Sequence, residues 1–204
     1  MLSQVYERLE DFHRQHTRAP WQDKGAVGSA SVLVAITNEQ EPKVVLTQRA
    51  ATLSSHAGQV AFPGGKQDPE DKDSLETALR EANEEVGLDP ELVEALVPLK
   101  SVRSVNQLSV TPWVAVIPPK LRFVANEGEL DEVFSVPLQF FLETDVNEGW
   151  RKHPQYKRYG LPVWEFQGFV IWGLTAYIIA DLLNICFDAG FEISHRATKH
   201  KEGA

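Results

Sequence analysis

The stretch that most constrains this chain is Phe62-Pro63-Gly64-Gly65 followed, after a spacer, by Arg80-Glu81-Ala82-Asn83-Glu84-Glu85-Val86-Gly87-Leu88. It joins a glycine turn to a helix dense in carboxylates. Asp73 is placed to cap the first orphan amides of that helix, and Glu76, three residues on, to complete a capping box. Gly87 can take the left-handed conformation that ends it. These signals predict a helix over Ser74–Val86.

At ~100° per residue, with Leu75 at zero, Ala78, Leu79, Ala82 and Val86 fall between roughly 300° and 40°, one apolar stripe for the core. Glu84, Glu81 and Glu85 fall near roughly 180°, 240° and 280°, with Glu85 closest to the buried edge. On an isolated helix such acids read as a solvated face, and carboxylates so close repel one another. Here the context differs. Gly64 and Gly65 let backbone approach a ligand and leave a carbonyl for a metal, and Arg80 can brace Glu84 one turn along. A divalent cation would remove the repulsion, and hard oxygen ligands favour Mg²⁺ or Mn²⁺.

These residues resemble the box of the Nudix hydrolases, Gly-x5-Glu-x7-Arg-Glu-U-x-Glu-Glu-x-Gly-U, with U a bulky aliphatic residue. Arg80 to Leu88 match its second half, with Ala82 at the first U. Gly65 to Arg80 is one residue longer than the pattern, and Asp71 stands where its first Glu belongs, which leaves Asp71 without an assigned role. The longer spacing is usual in the coenzyme A diphosphatase branch, which also carries an upstream signature, roughly Leu-Thr-x-Arg-x3-Leu-Arg-x-His-x-Gly-x3-Phe-Pro-Gly-Gly. Leu46, Thr47, Arg49, Leu53, His56, Gly58 and Phe62 stand where that signature expects them and run without a gap into the box. Ser54 replaces its second Arg, removing a guanidinium suited to phosphate, and Ser55 does not restore it.

With 204 residues and 43% hydrophobic content, the chain suits one α/β domain over residues 1–204, its core about 30–185. A net charge of -9 with no basic run argues against nucleic-acid binding. The single Cys186 rules out an internal disulfide and fits a reducing cytoplasm. No signal-peptide pattern opens the chain, and the apolar run at 169–183 is interrupted by Asp181 and too short to span a membrane. A soluble cytoplasmic protein is expected.

Leu2, Val5, Tyr6, Leu9 and Phe12 recur at helical spacing, predicting an amphipathic helix over residues 3–15 with no catalytic role, before a linker at Ala19-Pro20. Strands are expected at 30–37 and 43–48. After the box come a short helical segment to Glu94, a strand at 97–105 that can turn Arg103 to substrate, and a strand at Leu108–Ile117 whose Pro112 calls for an edge or a bulge. A helix over 140–148, a strand at 163–166 and a buried helix over 169–189 complete the reading, with a frayed tail after Ser194. Residues 150–159, rich in Arg and Lys, either cover the mouth of the site or form a cationic surface loop anchored by aromatics. His56 reads as the residue that holds the loop from Leu53 to Phe62.

The family resemblance implies an α/β/α sandwich with a mixed sheet. It also implies Mg²⁺ or Mn²⁺ held by Glu81, Glu84, Glu85 and the carbonyl of Gly64, with Glu84, Glu129 and Arg80 as the catalytic group. Glu129 is the candidate general base, with Glu127, Asp131 and Glu132 as alternatives, and Arg80 orients the carboxylates. By their positions Arg49, at a strand end, and Lys66, just after Gly64 and Gly65, either meet the phosphates of a small-molecule diphosphate at those glycines or are solvated surface charges. The branch implies coenzyme A, cut to 4′-phosphopantetheine and adenosine 3′,5′-bisphosphate, and the family makes a homodimer plausible. Other nucleoside diphosphate derivatives, a non-catalytic nucleotide-binding module and an acidic structural protein are the competing readings.

Overall fold

The structure, a computed structural model, describes residues 1–16, 28–53 and 55–193. Ala19-Pro20, Ser54 and the tail after Ser194 lie outside them. Helix α1 (Leu2–His16) buries Val5 and Leu9, the middle of the apolar spacing that predicts it. Strands β1 (Gly28–Thr37) and β2 (Lys43–Arg49) meet at Ile36 and Val44 and then part. Two short strands fill the gap: β3 (Val60–Ala61) pairs with β2, and β4 (Gly64–Lys66) pairs with β1. Between them the Pro63 carbonyl accepts from the Leu33 amide at 2.8 Å.

Helix α2 spans Ser74–Val86, the bounds its caps predict. Asp73 accepts from the amides of Leu75 and Glu76, and Gly87 sits at φ 67°, its amide reaching back to the Asn83 carbonyl. The capping box closes differently from expectation. Glu76 accepts from the amide of Lys72, one residue before Asp73.

The region after α2 corrects several expectations. A 3-10 turn (Pro90–Leu92) leads into β5 (Glu94–Pro98), so Glu94 is strand and not helix. The single strand expected at 97–105 is two pieces, β5 and β6 (Val102–Arg103), both antiparallel to β7 (Leu108–Ile117). Strand β7 lies inside the sheet, parallel to β1 along its whole length, so of the edge or bulge that Pro112 calls for the sheet offers no edge but an irregularity, where β5 gives way to β6. Its missing donor falls where the neighbouring chain leaves the sheet after Pro98, while its carbonyl still accepts from Leu99 at 2.8 Å.

Strand β8 (Leu130–Pro137) runs antiparallel along β2, with a shift in register between Gln48 and Arg49. The helix expected at 140–148 is two, α3 (Leu138–Glu143) and α4 (Val146–Lys152). Thr144 is extended, and Asp145 starts the second helix by accepting from the Asn147 amide at 2.9 Å. Helix α5 (Pro154–Lys157) follows, so the basic segment is mostly helical. Its aromatics anchor it: Trp150 Nε1 donates to the Leu161 carbonyl at 2.8 Å, and Tyr156 stacks on Trp172. Residues 169–171, expected to begin the last helix, instead form β10 (Phe169–Ile171), in a hairpin with β9 (Trp164–Phe166). Gln167 and Gly168, both at positive φ, supply the turn that such hairpins favour. Helix α6 then runs Gly173–Phe187.

Alternation along β1 assembles two cores, one on each face of the sheet. Val34 and Ile36 pack with Leu46, Leu9 of α1 and Ile178 and Leu182 of α6. Leu33 and Ala35 pack with Ala78, Ala82 and Val86 of α2. The mixed sheet is therefore the middle of an α/β/α sandwich, with α2 on the face of Leu33 and Ala35 and α1 and α6 on the other. No described helix is long and apolar enough to cross a membrane.

Candidate active site

The pairing of Ser31 with Gly65 sets the site. In that antiparallel register the backbone groups of Gly64 and Lys66 turn away from β1 and toward α2. The Gly64 amide donates to Glu85 Oε2 at 3.0 Å, and the Lys66 carbonyl accepts from Arg80 Nη2 at 3.0 Å. Gly64 is required by close approach of the backbone, and Gly65 lies against the movable end of a side chain. A Cβ on Gly64 would lie 2.3 Å from the Ser31 carbonyl oxygen, and one on Gly65 would lie 2.4 Å from Glu81 Oε1.

Arg80 uses every donor it has. Nε and Nη2 grip Asp71 at 3.0 and 2.9 Å, the second Nη2 proton goes to Lys66, and Nη1 donates to both Glu81 and Glu84 at 3.1 Å. The expected brace from Arg80 to Glu84 is present, and two more partners accompany it. Asp71 acquires a role that its place in the sequence did not assign: buried, it also accepts from Thr77 Oγ1 and the Asp68 amide, and so anchors Arg80. The Arg80 hydrogen bonds hold its carboxyl far below the usual carboxylate range, and Asp71 in turn raises the proton affinity of Arg80. The sequence signal was available only in part. Asp71 lies two residues before the helix cap, but no spacing rule pairs it with an arginine nine residues on.

Glu85 is the buried member of the acidic arc, 4% exposed. Burial pushes its carboxyl from 4.5 up to about 7; the Gly64 amide and Arg49 oppose the rise, while the charges of Glu81 and Glu129 add to it. Burial likewise raises Glu81, against the pull of Arg80. Glu84 projects further out, with only Arg80 as ion-pair partner among the described residues. Arg49, the last residue of β2, brings Nη1 to 3.9 Å from Glu85 Oε1, so signature and box meet at one carboxylate.

Glu129, in the exposed turn before β8, is close enough for its charge to act on both Glu81 and Glu85. Of the alternatives, Asp131 accepts from the Ala51 amide and Glu132 pairs with Gln48 in the sheet. Lys66 is exposed on β4 and gives Arg80 its carbonyl. Arg103 reaches Gln107 within its own turn at 3.5 Å. His56 does hold its loop. At φ 56° its Nδ1 lies 2.9 Å from Gln59 Oε1 and its Nε2 3.0 Å from Nδ2 of Asn106, a partner the sequence did not indicate. With Asn106 donating to Nε2, the ring proton sits on Nδ1 and goes to Gln59.

The donor set suits a hard divalent cation: three carboxylates on one arc, the most buried of them, Glu85, also within reach of the Glu129 charge. In the structure as it stands, no three His, Cys, Asp or Glu side chains among the described residues are gathered into a ligand set. Arg80 Nη1 engages one oxygen of Glu81 and one of Glu84, while Glu85 gives Oε2 to the Gly64 amide and has Arg49 at 3.9 Å from Oε1.

The family model described as the NUDIX domain matches residues 29–156. A protein of Cronobacter sakazakii named uncharacterized Nudix hydrolase NudL is 42% identical over 153 residues, covering 75% of this chain and 80% of that protein. A protein of the same name from Photorhabdus laumondii is 42% identical over 159 residues, covering 75% of this chain and 82% of that protein. Among solved structures, the M. smegmatis Nudix hydrolase RenU is 20% identical, covers 64% of this chain and 86% of that one, and superposes with a TM-score of 0.49.

Proposed function

Because this chain belongs to the Nudix family, whose hydrolases act on diphosphate-containing substrates, we propose that it cleaves coenzyme A to 4′-phosphopantetheine and adenosine 3′,5′-bisphosphate. The observation that carries this reading is the signature from Leu46 to Phe62, which with Ser54 as its departure runs without a gap into the glycines of the box and whose Arg49 faces the box's Glu85.

Glu81, Glu84 and Glu85, with the carbonyl of Gly64, would hold Mg²⁺ or Mn²⁺. When bound, the cation supplies charge neutralisation and Lewis acidity at the diphosphate. Arg80, fixed by Asp71, orients Glu81 and Glu84. Gly64 and Gly65 keep the backbone low enough for the diphosphate to approach, and Arg49 and Lys66 bind its phosphate oxygens. Glu129 takes the proton from the attacking water as the bridging P–O bond breaks toward the leaving phosphate.

Ser54 favours a second reading, that the substrate is another nucleoside diphosphate derivative, since the guanidinium expected there is absent. Chromatographic identification of products from coenzyme A, ADP-ribose and reduced NAD, each with Mg²⁺ or Mn²⁺, separates the two. Fastest turnover of coenzyme A supports the first reading; intact coenzyme A beside a cleaved competitor supports the second.

A further inference from the structure

Two guanidinium groups face the acidic arc, and only one is tied down. Arg80 donates five hydrogen bonds, two of them to buried Asp71. Arg49 is fixed differently. Its backbone is pinned, with its amide donating to the Gln59 carbonyl and its own carbonyl accepting from the Gly58 amide, both at 3.0 Å. Its side chain, in contrast, reaches Glu85 Oε1 at 3.9 Å, beyond hydrogen-bond length, and Glu85 is the only carboxylate it pairs with among the described residues. The other oxygen of Glu85 is engaged by the Gly64 amide at 3.0 Å. Oε1 therefore has an electrostatic partner and no hydrogen bond to it, among acids that gain most from a cation.

We propose that Arg49 is the resident counter-ion of Glu85, seated at Oε1 until a divalent cation is bound there and then released toward the phosphates of the substrate. The inference rests on the reading of Glu81, Glu84 and Glu85 as the metal-holding set. One guanidinium thereby serves two states: it offsets the buried carboxylate in the metal-free protein and becomes a phosphate donor in the loaded one. Binding is then ordered, because the group that grips phosphate is freed when the metal site fills. The arrangement also sets Arg49 against the metal, since both positive charges favour the same oxygen.

Titration of the full chain with Mn²⁺ alone, followed by the electron paramagnetic resonance signal of free Mn²⁺, tests this without substrate. Arg49→Gln is expected to bind Mn²⁺ about fivefold more tightly than the wild type, and Arg49→Lys to stay near it. An arginine that merely supported Glu85 would give weaker binding on removal, and a phosphate contact alone would give no change; either result overturns the inference while leaving the metal site intact. If the wild type binds no Mn²⁺, or Glu85→Gln binds it equally well, the site reading itself fails, and the inference with it. A measurement on the wild type needs no folded Arg49→Gln. The ¹⁵Nε–H resonance of Arg49, assigned by its loss in Arg49→Lys, is expected to shift on saturation with Mg²⁺, and an unmoved resonance overturns the inference.

Discussion

Arg80 and Arg49 flank the same acidic arc, on different carboxylates, at nearly the same exposure, 25% and 27%, yet they are held in different ways. Arg80 grows from α2 itself and is locked by a buried acid, a carbonyl and two neighbours on its own helix. Arg49 arrives from the end of a strand at a break in register, beside a loop largely exposed to solvent, and makes one long ion pair. Burial does not distinguish them; the number of geometrically satisfied donors does. The box half of the site holds its guanidinium by short hydrogen bonds, and the signature half meets the box through one long ion pair. Such a division suits a hydrolase that must hold its carboxylates still while closing on a flexible diphosphate.

The sharpest way to break the comparison is to disturb the box half without unfolding the protein. In Gly65→Ala the new methyl meets the Glu81 carboxylate, the far end of a flexible side chain, so Glu81 gives way while the fold stays. Activity is expected to fall about 100-fold with stability changed by about 1 kcal/mol or less, read by steady-state rates beside thermal melting. Asp71→Asn leaves Arg80 with a weaker anchor, and rates are expected to fall about 10-fold. An effect as small as that of a surface substitution would show that Arg80 needs no anchor.

A pH series sharpens the same contrast at Glu85. Its carboxyl holds its proton up to about 7 in the folded protein, against 4.5 ordinarily, so the folded state binds that proton more tightly than the unfolded one. The resulting stability is fully present below pH 4.5 and is lost as pH rises through 7, a change of about 3 kcal/mol. Chemical denaturation of the metal-free protein should show this loss relative to Glu85→Gln, in which it is absent. Mn²⁺ affinity should move the other way, rising about tenfold per pH unit until pH 7, because binding must displace the proton. The smallest effect belongs to the loop. His56→Ala removes the bonds to Gln59 and Asn106, and KM for coenzyme A is expected to rise a few-fold with kcat nearly unchanged.

Local signals carried the sequence furthest. Helix α2 begins and ends where Asp73 and Gly87 say it must, because a cap and a left-handed glycine act within a few residues. The acidic arc and its apolar opposite face follow from helical geometry alone. Legibility failed where neighbours decide. Residues 169–171 are apolar enough to begin a buried helix, and although Gln167-Gly168 reads as a turn, it is their pairing with β9 that makes them a strand. Pro112 calls for an edge or a bulge, and which of the two shows only when β5 is seen leaving the sheet beside it. Asp145 is a helix cap that the pattern over 140–148 passed through. In the site, Glu81, Glu84, Glu85 and Arg80 were visible by spacing, whereas the anchoring by Asp71 and the approach of Arg49 to Glu85 depend on a register that no single segment encodes.

The central claim is that buried Glu85 is the carboxylate on which divalent-metal hydrolysis of a diphosphate depends. Turnover of coenzyme A, ADP-ribose and reduced NAD by wild type and Glu85→Gln at saturating Mg²⁺, with melting curves to show that both are folded, tests it most directly. We predict that the wild type cleaves at least one of the three and that the variant, fully folded, is slower by a factor on the order of 1,000. A folded Glu85→Gln protein that turns over within about twofold of the wild type would contradict the account.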